Sequence, residues 1–237
     1  GADITANFRP GTMAISIGML LSALAMTWHL VHFHYVKFNK ESMYEVSKKI
    51  ILLCIPLLLS AQFIAGILNE ALDLTDTNQE LFISMSHNIF GVLSIAIVVP
   101  ILEEVLFRGA IEGHLLRKGW SPKWAILVSA LIFGIIHGNP AQIPFAFLIG
   151  LLFGWLYYRT GSLVPGIVGH IINNSFGAWT MFTATREELS QTTMETLGTT
   201  ITYILLVLAI IVFIGMYLYL NKYLPKPTNI QVKAINE

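Results

Sequence analysis

Charged residues are scarce in this chain of 237 residues. Asp, Glu, Lys and Arg make up only 12% of it, whereas soluble domains carry about 25%. Hydrophobic residues make up 55%, and the mean hydropathy is +0.68. This composition excludes an ordinary soluble domain and indicates an integral membrane protein that is embedded in a lipid bilayer. The formal net charge is zero, so bulk electrostatics gives no indication of nucleic-acid binding.

Cysteine is almost absent as well. Cys54 is the single one, which excludes an internal disulfide, and its apolar surroundings in the sequence predict a buried structural side chain. No cleavable signal peptide is evident, because the first apolar run is too long. No internal repeat, low-complexity segment or soluble domain is visible. The chain 1–237 is therefore predicted to form a single transmembrane domain.

Long runs without any charge predict the membrane spans. About 20 apolar residues cross a bilayer, and the uncharged run 124–158 is long enough for two helices, separated near Pro140 and Pro144. The predicted fold is all-α, a polytopic bundle of about seven transmembrane helices with an active site in the membrane. The predicted helices are 12–36, 49–68, 88–113, 122–138, 142–159, 164–183 and 198–221.

Basic residues predict the orientation of these helices. They concentrate in alternate loops and in the tail, at Lys37, Lys40, Lys48, Lys49, Arg117, Lys118, Lys123, Arg159, Lys222, Lys226 and Lys233. The second loop, in contrast, is acidic. The positive-inside rule then predicts the N-terminus outside, the C-terminus inside and a cytoplasmic tail at 222–237. The length and the lack of a targeting sequence favour a prokaryotic cell membrane.

Ionisable residues inside three of the predicted spans are the candidates for function, because such groups are costly in a membrane. Glu104 and Arg108 are four residues apart and can pair on one helix face. Glu103 points about 100° away and is free for another task. His137 ends the fourth helix, and His170 lies within the sixth. Their distances from the basic loops put the two His and the two Glu at similar depth, broadly near the midplane.

Convergent Glu, His and Asn side chains suit the hydrolysis of an amide. A carboxylate can take a proton from water and later give it to the leaving amine. His and Asn side chains can stabilise a tetrahedral oxyanion. Asn174 shares a helix face with His170. A metal held by His and Glu could lower the pKa of the water. Asn173, next to Asn174, remains an alternative as the polar residue of this face.

Three short motifs strengthen this interpretation. The segments "EEVLFR", "FGIIH" and "HIINN" resemble the EExxxR, FxxxH and HxxxN motifs of the CAAX protease and bacteriocin-processing (CPBP) family, also called Abi. The resemblance covers roughly 85–180, which would be the catalytic core. It implies an intramembrane endopeptidase, often described as a metalloprotease, that cleaves a membrane-associated peptide or protein.

The resemblance also implies roles for individual residues. Glu103 would be the catalytic glutamate and would act on water together with His137, while His170 and Asn174 would stabilise the oxyanion. Glu104 and Arg108 would be the supporting pair. If the enzyme depends on Zn²⁺ or another divalent metal, Glu103, His137 and His170 would be the ligands; otherwise no cofactor is expected.

Two other functions fit the same pattern. One is a non-catalytic CPBP-fold immunity or scaffold protein that binds a membrane partner, against which the intact motif residues argue. The other is an ion-coupled transporter, which predicts inverted repeats and paired broken helices that the sequence does not show. We also expect the site to open toward the cytoplasm, because Glu103 and His170 are approached in sequence from basic loops.

Overall fold

The computed structural model describes residues 11–36 and 48–224, and this part of the chain contains helices and no strands. We number the helices in chain order, counting one continuous helix from Ile89 to Arg117. They are α1 Thr12–His32, α2 Lys48–Ala71, α3 Gln79–Ser86, α4 Ile89–Arg117, α5 Pro122–Ile136, α6 Ile143–Thr160, α7 Val164–Thr183, α8 Arg186–Ser190, α9 Thr193–Leu197 and α10 Thr199–Tyr223.

The long helices lie where the sequence predicts them, which confirms an all-α polytopic bundle. Five of the described helices, α1, α2, α4, α6 and α10, are long and apolar enough to cross a membrane. Helix α5 is apolar but has only 15 residues. Helix α7 is long enough at 20 residues, but His170 and its two asparagines lower its hydropathy. The short helices α3, α8 and α9 are not predicted from the sequence.

Proline and glycine set several helix boundaries. Pro122, Pro144 and Pro165 lie in the first turns of α5, α6 and α7, where the missing N–H of proline has no intrahelical acceptor to bind. Gly161 ends α6 with φ +68°, a left-handed conformation that glycine adopts without strain. The tight connection between α6 and α7 follows from this turn.

Helix α4 is not a regular α-helix along its length. It contains two π-helical turns, Ser94–Val98 and Val105–Glu112, on either side of the two adjacent glutamates. Pro100 follows the first of these turns. Because proline cannot donate a backbone hydrogen bond and its ring crowds the preceding turn, a wider turn accommodates it. Such π-turns often occur at functional sites.

The core of the bundle lies around α2 and α6. Its largest buried cluster draws on α2, α6 and α10 and includes Leu57, Leu58, Phe153, Leu156 and Leu220. Helix α5 packs against α6 as a hairpin, and α7 packs against α4 and α3. Much of α1 and α10 presents exposed apolar side chains, as expected for helices that face lipid.

The two ends of the bundle differ in charge. The acidic end is formed by the loops 72–78, 137–142 and 184–198, and the charges of its described residues are Glu70, Asp73, Asp76, Glu80, Arg186, Glu187, Glu188 and Glu195. The basic end is the opposite one, with Lys48, Lys49, Arg117, Lys118, Lys123, Arg159 and Lys222. Lys37, Lys40 and the tail from residue 225 onward lie outside the described residues.

Candidate active site

The predicted pair of Glu104 and Arg108 is present and fully buried in α4. Arg108 Nη1 donates to Glu104 Oε1 at 2.9 Å, and each side chain is 1% exposed. Nη2 of the same guanidinium donates to the carbonyl of Gly150 at 3.1 Å. The guanidinium carbon also lies 4.5 Å from the ring centre of Phe133 and 5.3 Å from that of Phe153, a cation–π arrangement. Arg108 thus fixes the carboxylate of Glu104 and links α4 to α5 and α6.

The remaining contacts of Glu104 leave it little freedom. Its Oε1 also lies 3.0 Å from Nδ1 of His170. Its Oε2 is buried without a hydrogen-bond partner among the described residues. A Cβ atom at Gly166 would lie only 2.6 Å from this oxygen, so α7 approaches the carboxylate closely because residue 166 has no side chain.

Glu103 faces a different direction and reaches a cavity. Its side chain is 20% exposed, and its Oε2 lies 3.3 Å from Nε2 of His170. The imidazole of His170 therefore lies between the carboxylates of Glu103 and Glu104. A neutral imidazole carries one N–H and can donate to only one of them at a time. Glu103 thus lies apart from the pair formed by Glu104 and Arg108.

His137 caps the C-terminus of α5 and is half-buried. Its Nδ1 lies 2.7 Å from the carbonyl oxygen of Phe133. Since a carbonyl only accepts, Nδ1 carries the proton, and Nε2 is the nitrogen that can act on a molecule in the cavity. The ring of Phe133 meets the rings of both His137 and His170 edge to face, at 4.8 and 5.8 Å. Phe133, at the start of the FxxxH motif, thus separates the two imidazoles.

Asn173 and Asn174 both line the cavity, so both remain candidates for the polar residue of this helix face. Asn174 Nδ2 donates to the carbonyl of Ile95 at 2.9 Å, and its Oδ1 accepts from Asn173 Nδ2 at 3.0 Å. The amide of Asn174 thus binds the first π-turn of α4. An amide nitrogen carries two hydrogens, so one donor of Asn174 remains for a ligand.

A cavity of about 520 Å³ brings these residues together. This volume is within the usual range for a ligand pocket. Glu103, His137, His170 and Asn174 line it together with mostly apolar side chains. Its wall extends from these residues to Asn78 and Gln142, at the acidic end. The sequence predicts an approach from the basic loops, whereas the lining residues nearest to helix ends, Asn78, Gln142 and Met181, lie toward the acidic end.

The geometry does not fit a resident metal. In residues 11–36 and 48–224, no three His, Cys, Asp or Glu side chains are grouped so that they could hold a metal ion. The predicted ligand set is Glu103, His137 and His170. His170 and Glu103 lie 3.3 Å apart, but neither His137 nor another His, Cys, Asp or Glu of the described residues completes a set of three metal ligands with them. We therefore derive no catalytic step through a metal.

Sequence reasoning missed Glu112, a third carboxylate in α4. It is 0% exposed, and neither of its oxygens has a hydrogen-bond partner among the described residues. Glu112 follows Arg108 by four residues and faces Gly154, where a Cβ would lie 2.6 Å from its Oε2. The i, i+4, i+8 spacing of Glu104, Arg108 and Glu112 was the signal that could have revealed it.

Asn139 is a second buried polar residue that the sequence did not reveal, in the loop that follows His137. It is 0% exposed. Its Oδ1 accepts from the backbone N–H of Thr77 at 3.1 Å, and its Nδ2 donates to Asp76 at 2.7 Å. Asn139 thus ties together the loops 72–78 and 137–142, which form one rim of the cavity. A buried asparagine in a loop requires such partners.

Comparisons with known proteins cover the segment that contains these residues. Residues 85–176 match the family model described as type II CAAX prenyl endopeptidase Rce1-like. The chain is similar to the putative membrane peptidase YdiL of Bacillus subtilis (strain 168), with 38% identity over 34% of this chain and 33% of YdiL. It is also similar to the membrane-embedded CAAX protease MroQ of Staphylococcus aureus (strain USA300), with 33% identity over 43% of this chain and 42% of MroQ.

A further similar protein is the UPF0177 protein YxdF of Lactococcus lactis subsp. lactis (strain IL1403), with 28% identity over 51% of this chain and 63% of YxdF. The matches thus span between one third and just under two thirds of the length of these relatives. No solved structure matches the chain significantly. The segment 85–176, which is similar to the Rce1-like family model, contains Glu103, Glu104, Arg108, His137, His170 and Asn174.

Proposed function

We propose that this protein is an intramembrane endopeptidase that hydrolyses a peptide bond in a membrane-associated peptide or protein by glutamate-activated water. The observation that carries the proposal is the asymmetry of the two glutamates. Glu104 is buried and held by Arg108, whereas Glu103 reaches the cavity and contacts His170. One carboxylate is thus structural, and the other is available to reacting groups.

The reaction follows from these positions. A water molecule in the cavity gives a proton to Glu103 while its oxygen attacks the carbonyl carbon of the scissile bond. Glu103 then passes the proton to the amide nitrogen as the C–N bond breaks, which yields a carboxyl group and an amine. His137, through Nε2, orients the water. The mechanism uses one acid–base residue in two successive proton transfers.

The oxyanion of the tetrahedral intermediate and the oxygen of the attacking water are bonded to the same carbon. Hydrogen-bond donors for the oxyanion must therefore lie beside the position of that water. Nε2 of His170 lies 3.3 Å from Glu103 and, when this nitrogen carries a proton, can donate a hydrogen bond to the oxyanion. Asn174 supplies a second donor through its remaining N–H. Removing one such donor typically costs about 100- to 1,000-fold in rate.

The test is cleavage of a library of membrane-proximal peptides by purified protein in detergent. Wild type should cleave, and Glu103→Gln should not. Glu112→Gln is the matched control, because it makes the same change in the same helix but outside the cavity. Wild type that cleaves nothing, together with a Glu103→Gln variant that keeps its biological activity, would favour the immunity or scaffold function instead.

The same assay tests the role of a metal. We expect cleavage to be insensitive to chelator and to added Zn²⁺. Loss of activity on chelation, with recovery on adding one equivalent of Zn²⁺, would contradict the metal-free mechanism and would assign Glu103, His137 and His170 as ligands in a rearranged site.

A further inference from the structure

One face of α7 follows the cavity for about three helical turns. The residues of this helix that line the cavity are His170, Asn173, Asn174, Gly177, Ala178 and Met181. Their spacing is that of a single helix face, because each residue is turned by about 100° from the one before it. A side chain at position 177, seven residues after His170, would point within about 20° of the same direction. Gly177 therefore lies near the middle of the face that α7 presents to the cavity.

The space beside Gly177 is open. Outside the adjacent helix backbone, a Cβ atom added at this position would have no atom within 4 Å. Two other glycines of α7 differ in this respect. A Cβ at Gly166 would lie 2.6 Å from Glu104, and a Cβ at Gly169 would lie 2.4 Å from Leu58. Those two glycines allow neighbouring helices to pack closely, whereas the missing side chain at Gly177 leaves room in the cavity itself.

Backbone conformation does not account for the glycine at this position either. Gly177 lies inside the helix Val164–Thr183, and it does not have a positive φ. Glycine is one of the weakest helix formers, and alanine would favour the same backbone. Glycine at position 177 thus costs α7 some stability, and its one structural effect is to enlarge the cavity.

The walls around this space are apolar. Ala178, next to Gly177, belongs to a cluster with Ile95 of α4, and Met19 and Phe82 of α1 and α3 pack against that cluster. All four of these residues line the cavity. Methionine side chains adapt to the shape of a neighbour and make favourable contacts with aromatic rings. Such walls suit a large apolar side chain, because a charged one would be buried here without a partner.

This space adjoins the proposed catalytic residues. Gly177 follows Asn174, the proposed oxyanion donor, by three residues, which is about 4.5 Å along the helix axis. Asn174 also binds the carbonyl of Ile95, whose side chain is part of the same apolar wall. An extended peptide advances about 3.3 Å per residue. The side chain that fills the space therefore belongs to a substrate residue within about one or two positions of the scissile bond.

We propose that Gly177 is a specificity-determining residue, which keeps open a subsite for a large apolar side chain such as Phe or Leu. This inference rests on the proposed peptidase function and specifies its substrate. The substrate is a peptide segment that carries such a side chain one or two residues from the cleaved bond. A larger residue at position 177 fills the subsite from the α7 side and excludes that side chain.

Cleavage of paired peptide pools tests the subsite. The pools are membrane-proximal peptides with Phe or Ala fixed at each position in turn, and the proteins are purified in detergent. Wild type should prefer Phe at one position relative to the cleaved bond. Gly177→Leu should lower cleavage of that Phe pool by about 10-fold or more and should leave cleavage of the Ala pool nearly unchanged. An equal loss on both pools, or an unchanged preference for Phe, would overturn the proposal.

The matched control is Gly215→Leu in α10. Gly215 is also a helical glycine whose added Cβ would have no atom within 4 Å, but it does not line the cavity. This variant should keep the wild-type preference for Phe. Loss of the preference in Gly215→Leu would show that the effect does not depend on the subsite and would contradict the proposal.

A smaller substitution covers the case in which Gly177→Leu does not fold. Gly177→Ala should keep or raise the melting temperature, because alanine favours the helix and its Cβ meets no other side chain. It should also shift the preference toward smaller side chains, by a smaller factor than leucine does. A melting temperature below that of wild type would show that packing requires the glycine, and this result would overturn the proposal.

Thiol protection tests the subsite without cleavage. The inactive variant Glu103→Gln provides the background, because its single cysteine, Cys54, is 1% exposed. Adding Gly177→Cys places a thiol in the subsite, and N-ethylmaleimide should label it. The Phe pools should slow this labelling more than the Ala pools do. Absence of labelling, or equal slowing by both kinds of pool, would contradict the subsite. Wild type that cleaves no pool, together with slowing by Phe alone, would contradict the proposed function and support the subsite.

Discussion

Replacement of Gly166 by alanine tests whether the position of Glu104 controls the site. The new Cβ would lie 2.6 Å from Glu104 Oε2 and 3.3 Å from its carboxyl carbon. An ordinary contact begins at 3.4 Å, so the carboxylate must retreat by about 0.8 Å, close to the displacement of about 1 Å that can cost 100-fold in rate. The oxygen cannot move freely, since Arg108 and His170 both hold the same carboxylate.

We therefore expect Gly166→Ala to lower the cleavage rate by about 10- to 100-fold and to destabilise the fold by about 1–3 kcal/mol. The measurements are steady-state cleavage of a peptide substrate and thermal unfolding in detergent. Gly66→Ala is the control, because residue 66 is also a helical glycine but no atom lies within 4 Å of its added Cβ. That change should leave activity unaltered and should stabilise α2 by up to about 1 kcal/mol.

Shortening the displaced side chain gives a further test. Glu104→Asp withdraws the carboxylate from residue 166, so the effects of the two changes should not add. If Gly166→Ala alone keeps wild-type activity and the wild-type unfolding temperature, the close approach of α7 to Glu104 does not control the site, and the reasoning is refuted.

Three further predictions concern hydrogen bonds elsewhere. Asn139→Asp places a second carboxylate against Asp76 and should lower the melting temperature. Adding Asp76→Asn restores an amide donor and should recover the melting temperature; no recovery would contradict the link between the loops. Arg108→Lys keeps the charge but loses the planar fork that bridges Glu104 and the Gly150 carbonyl, so it should cost about 1–3 kcal/mol in thermal unfolding, whereas an unchanged melting temperature would show that the guanidinium is dispensable. The backbone N–H and hydroxyl of Thr185 hold the pKa of Glu188 below its usual value. Stabilisation by this cap is therefore present above the ordinary carboxyl pKa and is lost as pH falls through the lowered pKa of Glu188. The backbone amide of Thr185 should lose protection from hydrogen exchange over that pH range. Glu188→Gln should abolish this pH dependence.

Much of the fold was predictable because it depends on local rules. Uncharged runs and prolines give the long helices to within a few residues, and the four-residue spacing gives the pairing of Glu104 with Arg108 and the separate direction of Glu103. The similar depth of the two histidines, which both line the cavity, was predictable from their distances to the basic loops. None of this requires knowledge of how the helices pack.

The parts that were not predictable depend on packing or on departures from the α-helical period. Helix α4 is apolar on nearly every face, so its sequence pattern gives no sign of the π-turns at Ser94–Val98 and Val105–Glu112. The contact of His170 with two carboxylates depends on how α7 crosses α4. Gly150 and Gly154 predict only close packing of helices. In the structure, the carbonyl of Gly150 also accepts a hydrogen bond from Arg108, and the missing side chain of Gly154 leaves room for Glu112.

The extent of the cavity was not predictable for a similar reason. Distance along the chain from a basic loop gives the depth of Glu103 and His170 but not the direction in which the space beside them opens. That direction depends on how the helices pack, and two of the lining residues, His137 and Gln142, belong to the loop between α5 and α6 at the acidic end.

The π-turns of α4 have a consequence for how this protein can change in evolution. Asn174 binds the carbonyl of Ile95, and the hydroxyl of Ser129 binds the carbonyl of Phe107 at 2.8 Å. Both acceptors are backbone atoms, yet the side chains of Ile95 and Phe107 line the cavity. Substituting either side chain therefore leaves these anchors in place. The preference for substrate side chains can diverge among descendants while the frame that holds the glutamates is inherited unchanged.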